Sequence, residues 1–104
     1  MNTELAANRL SSLGNPTRLS LFRLLIRAGK EGMNIGDIQS KLNVPASTLA
    51  HHIQALEQTG MVKQKKRGRE VINTADYEAM NDLVSYLTDE CCQGFTKENN
   101  RNTC

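Results

Sequence analysis

Apolar residues recur at helical spacing in five stretches of this chain, and one short interval between the fourth and fifth suits strands instead. From Thr3 to Leu13, Leu5, Ala6, Leu10 and Leu13 predict a short amphipathic helix, with Thr3 as its N-cap and Gly14 as its stop. Asn15-Pro16 starts a second helix, since Asn caps free N–H groups and Pro suits the first helical position. Leu19, Phe22, Leu25 and Ile26 form its apolar face, and Gly29 ends it. Residues 30–34 read as a loop. Ile35 to Leu42 is a third helix with Ile35, Ile38 and Leu42 inward, and Asp37 in its first turn suits the helix dipole. Asn43-Val44-Pro45 makes a tight turn into a fourth helix over about 45–58, where Pro45 is tolerated because the helix begins there. Its inward residues are Leu49, Ile53 and Leu56. Gly60 closes it, and Met61 to Lys65 with Glu70 to Thr74 predict two strands around Lys66-Arg67-Gly68-Arg69. A last helix over about 75–92 carries Tyr77, Met80, Leu83, Val84 and Leu87 in a stripe expected to be part core and part dimer seam. Residues 1–92 therefore form one domain, and residues 93–104 a flexible tail bearing cysteine. The fold class is mainly α with a small β-hairpin.

Two of these elements change meaning once their polar residues are placed. Measured from Leu49 at 100° per residue, Ser47, His51 and Gln54 fall at about 160°, 200° and 140°, opposite the apolar face, with Thr48 close by. That face is rich in hydrogen-bonding groups and nearly free of charge, which suits the reading of base edges. Residues 61–70 hold five basic side chains and one acidic. Directly after such a helix, a flexible loop with Lys65, Lys66, Arg67 and Arg69 can reach phosphates or the minor groove.

Composition agrees with a small nucleic-acid binder. The chain has 104 residues, with two Tyr, two Phe and no Trp, so its core is aliphatic and advertises no large aromatic cofactor pocket. The net charge of +2 hides an asymmetry, because residues 1–75 hold 11 Lys/Arg against 5 Asp/Glu and residues 76–104 hold 2 against 6. The basic part suits a polyanion. No apolar leader is visible, and the best apolar run, Leu19 to Ile26, is broken by Arg23, so a cytoplasmic protein with no membrane partner is expected. No Ser/His/acid set, phosphate-cradling loop or catalytic metal spacing occurs, which predicts neither an enzyme nor a catalytic cofactor.

The run L-x-x-x-x-R-L-x-L-F-R-L-L over Leu13–Leu25, the run I-x-x-L-E-x-x-G-M-V over Ile53–Val62, and His52 before Ile53 together resemble the ArsR/SmtB family of metal-responsive repressors. The resemblance covers residues 4–90. It implies a winged helix-turn-helix fold, a homodimer, and double-stranded operator DNA as partner, and it adds His52 to the candidate contacts. Two departures stand out: Ala50 sits where many members have a Ser two residues before the family His, and Ile35-Gly36-Asp37-Ile38 lacks the Cys-x-Cys of many arsenic-responsive members. Zinc-responsive members use Asp and His on the last helix, which here has no His. Adjacent His51 and His52 would point about 100° apart on a helix and do not chelate one ion.

All three cysteines lie in the last fourteen positions, an odd number that makes reduced thiols the default. L-V-S-Y-L-T-D-E-C-C-Q-G resembles the end of ArsR proteins that bind arsenite through a vicinal Cys pair and a third tail Cys. Cys91, Cys92 and Cys104 are therefore candidate ligands for As(III) or Sb(III) as inducer, soft ions that select thiolates. Gly94 allows a reversal, and Cys104 could come from either subunit. Two other readings stay open. One is a redox switch pairing Cys104 with Cys91 or Cys92, which Asp89, Glu90 and the helix C-terminus disfavour by opposing the thiolate. The other is a winged-helix module that binds protein instead of DNA.

Overall fold

The computed structural model describes residues 1–95 and gives, in order, α1 (Thr3–Leu13), α2 (Pro16–Ala28), a 3-10 turn (Gly29–Glu31), α3 (Ile35–Leu42), α4 (Ala46–Gln58), β1 (Val62–Arg67), β2 (Glu70–Ala75) and α5 (Tyr77–Thr88). Side-chain caps set most of these boundaries. Asn15, Asn34 and Asp76 each accept a backbone N–H three residues on, which satisfies one of the donors that a helix start leaves unpaired. Asn2 does the same for α1 at 2.8 Å from the Leu5 nitrogen, so Asn2 caps it and Thr3 is its first residue. α3 ends at Asn43, whose left-handed φ of 55° turns the chain toward Pro45 and α4.

The core is aliphatic. Leu21, Leu25, Ile38, Leu49, Leu56 and Met61 are fully buried, joined by Ala6 of α1, Val62 and Ala75 of the hairpin, and Ala79 and Leu83 of α5. Burying each Leu or Met of this set is worth about 1.5–3 kcal/mol, which holds α3 and α4 against the α2 scaffold. Leu21 takes the central place in α2, while Leu19, predicted inward, is 43% exposed. The α5 stripe divides: Leu83 is buried and Tyr77 and Met80 pack on the core, but Val84 and Leu87 are exposed. Leu5 and Leu10 of α1 are exposed as well. α1 and α5 are neighbours, joined by a hydrogen bond between the Thr3 and Tyr86 hydroxyls.

The hairpin is longer than its sequence pattern predicts. β1 and β2 pair antiparallel from Val62↔Ala75 to Arg67↔Glu70, leaving only Gly68 and Arg69 as the loop. Gly68 has φ of 66° and Arg69 does not share the positive φ, the pattern of a II′ turn with Gly first. Lys66 and Arg67 thus lie on a paired strand and not in a flexible loop.

Residues 30–34 do more than connect. Met33 forms an antiparallel bridge with Asn73, exchanging N–H···O bonds at 2.9 Å in both directions. The buried Asn73 side chain adds a bond from Nδ2 to the Met33 carbonyl at 3.1 Å and accepts from Gln64 Nε2 at 2.9 Å. Gly32 makes this possible: it has φ of 65°, and a Cβ there would lie 2.4 Å from the Asn73 carbonyl oxygen. Gly32→Ala should therefore lower the urea midpoint, the unfolding free energy falling by about 1–3 kcal/mol for the left-handed backbone alone and more for the clash. An unchanged midpoint would show that the bridge has slack.

Candidate nucleic-acid interface

α4 and the hairpin form the basic face that the sequence points to. The absence of charge on the outer side of α4 lets short polar groups stand free: Ser47, Thr48, His51 and Gln54 are all exposed. Lys65, Lys66, Arg67 and Arg69 are exposed along β1 and its turn. Lys63 differs, lying 3.4 Å from Asp76 Oδ2 in a surface pair that is worth little by itself. Between α4 and the hairpin runs a groove of about 750 Å³, with Ala50, Ile53, Gln54 and Glu57 on one wall and Arg69 and Val71 on the other. Gln54 stands where groove and outer face meet.

Asn34 fixes the base of this arrangement. Its Oδ1 accepts from the Asp37 N–H at 2.8 Å, capping α3, while its Nδ2 donates to Glu70 Oε1 at 3.0 Å. One side chain thereby ties the start of the helix-turn-helix to the hairpin turn. Hydrophobic patterning does not reveal Asn34, Gln64 or Asn73 as positioning groups. The one available signal is an Asn inside the Val71-Ile72-Asn73 strand, a polar residue where an apolar one would pack.

His52 does not join the outer face. It is 9% exposed, turned toward α2, and its Nδ1 accepts from Arg18 Nε at 3.3 Å. A ring whose Nδ1 lone pair accepts carries its neutral proton on Nε2. Burial, then the Arg18 charge, then His51 lower its pKa from 6.5, so the fold prefers the neutral ring. Arg18 Nη1 also reaches the Ser12 carbonyl at 3.4 Å, and Ser12 Oγ lies 3.0 Å from Thr59 Oγ1. Arg9 Nε donates to the Thr59 carbonyl at 2.9 Å. Polar groups of α1, α2 and α4 meet in this one seam.

The cysteines stand apart from that face. α5 ends at Thr88 and not near 92, because Asp89 is extended and Glu90 is left-handed, so Cys91 and Cys92 follow the helix in a turn. The carboxylates of Asp89 and Glu90 remain nearby in sequence, and the Cys91 N–H donates to the Thr88 carbonyl at 3.0 Å, which ties the turn to the helix C-terminus. Both cysteines are exposed and their Sγ atoms are 3.6 Å apart. Cys104, the third expected ligand, lies outside the described residues. Among the described residues no three His, Cys, Asp or Glu side chains are grouped to hold a metal ion. No helix among them is long and apolar enough to cross a membrane.

The helix-turn-helix domain family matches residues 13–65. An uncharacterized HTH-type transcriptional regulator of Methanocaldococcus jannaschii is 37% identical over 65 residues, which cover 62% of this chain and 71% of that one. An ArsR-like transcriptional regulator from Rhodococcus sp. RHA1 superposes with a TM-score of 0.72 at 25% identity, covering 81% of this chain and 76% of that one. A homodimeric winged helix-turn-helix DNA-binding domain from Mycobacterium bovis, described as a possible ArsR-family regulator, shares the fold with a TM-score of 0.67 at 19% identity, over 89% of this chain and 86% of that one.

The two sets of residues should behave differently in DNA titrations. Lys66→Ala or Arg67→Ala should weaken binding to every duplex and lower the salt slope by about 0.9 for each phosphate no longer neutralised. Gln54→Ala should cost about 1–3 kcal/mol on a preferred duplex and little on others. Binding unmoved by both kinds of change would place the DNA elsewhere on the molecule.

Proposed function

We infer that this chain, which belongs to the helix-turn-helix domain family and is a DNA-binding transcriptional regulator of the ArsR, winged-helix type, represses transcription as a homodimer. α4 enters the major groove of a palindromic operator through Ser47, Thr48, His51 and Gln54, and Lys65, Lys66, Arg67 and Arg69 of the wing grip the backbone. The exposed Leu5, Leu10, Val84 and Leu87 of the neighbouring α1 and α5 supply the seam that a second copy covers. The homodimeric Mycobacterium neighbour supports that arrangement.

In this proposal As(III) or Sb(III) ends repression. The observation that carries it is the pair of exposed sulfurs 3.6 Å apart just beyond α5, near enough for both to bind one ion. Cys104, from either subunit, gives the third thiolate. Cys92 is disulfide-bonded in this structure, so a cellular dithiol must first reduce that bridge and be oxidised to its own disulfide. The three thiols then displace three hydroxides of arsenous acid as three waters, leaving a pyramidal As(III) held by three sulfurs with arsenic unchanged in oxidation state. Three sulfurs complete the pyramid of As(III) or Sb(III) but leave zinc one ligand short of the tetrahedral set of its closed sites.

Binding at the end of α5 reaches the DNA face through contacts already in place. Tyr77 Oη donates to the Ile26 carbonyl at 3.1 Å, and the Asp76 N–H donates to the Met61 carbonyl at 2.9 Å, so α5 is bonded to the end of α2 and to the entry of β1. A shift of α5 also moves the dimer seam, and with it the spacing of the two α4 helices. A coupling of about 1–3 kcal/mol is ordinary for such a device and weakens DNA binding roughly 5–150-fold.

The test uses a duplex selected by the protein from a random-sequence library. Arsenite and antimonite should release it at concentrations where zinc and peroxide do not. Cys91→Ser and Cys92→Ser should bind the duplex as well as the parent does and ignore arsenite. Release by peroxide instead would favour thiol oxidation, and arsenite release that survives both substitutions would remove the metalloid from the proposal.

A further inference from the structure

His52 lies buried in the seam with α2, off the outer face of α4, and yet belongs to the helix proposed to read DNA. The charged groups facing it are all cationic or able to become so. Arg18 of α2 is hydrogen-bonded to it, and Arg9 of α1 is anchored on Thr59 at the same junction. His51 on α4 itself has its ring centroid 6.0 Å away. The nearest acidic residue on α4, Glu57, lines the opposite groove against the wing, about 140° around the helix. Among the described residues, no carboxylate is placed to accept a second ring proton.

We propose that neutral His52 is the positioning residue for DNA reading: its Nδ1 accepts the Arg18 N–H and locks α4 to α1 and α2, and a proton on that nitrogen releases the helix. Protonated Nδ1 becomes a donor facing a donor, and two cations then share a partly buried 3.3 Å contact. Either the ring or the Arg18 guanidinium has to turn out. Arg18 also holds the Ser12 carbonyl, and Ser12 is linked to Thr59 just past the end of α4, so the loss spreads from the middle of the helix to its C-terminal end. DNA recognition tolerates little change in the angle of α4, because base-edge hydrogen bonds need close registration.

The sign of the effect follows from the lowered pKa. The ring in its unfolded or released environment titrates near 6.5 and in the seam at a lower pH. The lock is complete above 6.5 and is lost as pH falls through the lower value. General electrostatics works the other way, since every proton gained near DNA strengthens attraction to phosphate. A fall of affinity in acid is therefore diagnostic of the lock.

The inference rests on α4 reading DNA and is independent of the thiols. Affinity for the library-selected duplex is measured at constant ionic strength from about pH 7.5 to 5.5, the range in which histidine switches, with circular dichroism at each point. The native protein should lose about tenfold or more while its helical signal holds, a coupling in the ordinary range. His52→Gln, whose amide oxygen can accept from Arg18 without titrating, should bind normally at the upper pH and stay level in acid. Should that variant misfold, Arg18→Gln serves, because an amide can donate to the neutral ring or accept from the charged one. A level or rising profile in the native protein, a fall that survives His52→Gln or Arg18→Gln, or a parallel loss of helix would each overturn the proposal. No binding at any pH would instead remove the DNA-reading role of α4.

Discussion

The paired backbone bonds between Met33 and Asn73 are the constraint on which the placement of the hairpin against the helix-turn-helix depends. A two-stranded hairpin by itself is marginal in water. Here β2 is bonded on its second edge by one residue of the segment before α3, so the hairpin becomes part of the helical domain. The same segment supplies Asn34, which caps α3 and holds Glu70 at the turn. Four residues, from Gly32 to Ile35, thus set the wing and the helix-turn-helix in one frame. Gly32 is required because the frame brings backbone against backbone more closely than any Cβ permits.

Two further seams serve α4, and they differ in kind. Its inner side is apolar, with Leu49, Ile53 and Leu56 buried against the rest of the core. Such packing resists separation but specifies rotation about the helix axis weakly, since aliphatic groups have no directional bonds. The seam with α1 and α2 is polar, built from Arg9, Ser12, Arg18, His52 and Thr59. Hydrogen bonds fix direction, and partly buried ones are costly to leave unmade. Core packing therefore supplies the adhesion of α4 and the polar seam supplies its aim.

The sequence made the order of elements plain, and its limits lie in particular residues. The α3 boundaries match because Asn34, Asp37 and the Ile35, Ile38, Leu42 spacing all act locally. Val84 and Leu87 share the periodicity of Leu83, yet only Leu83 is covered within one chain. Periodicity marks a face to be buried without saying by what. His52 marks the same limit from the other side. The family resemblance suggests a DNA contact there, whereas α2 presents Arg18 to it from 34 positions away in the chain. The end of α5 also escapes prediction, since Asp89, Glu90 and Cys91 carry no glycine or proline to stop a helix and the left-handed Glu90 does so instead.

Control of the reading unit from a distance needs bonds that cross between elements, and Tyr77 has the required geometry. It sits in the first turn of α5, and its hydroxyl donates to the Ile26 carbonyl at 3.1 Å, among the last carbonyls of α2, which the helix itself leaves unpaired. Just beyond that point come the 3-10 turn, Gly32 and the Met33 bridge. The opposite end of α5 carries Val84 and Leu87 and leads to the cysteines. A tilt of α5 is consequently felt at its outer end as a change in the exposed Val84 and Leu87 surface, and at its inner end as tension on the segment that holds the hairpin. Both effects bear on the same quantity, the placement of the hairpin relative to α4.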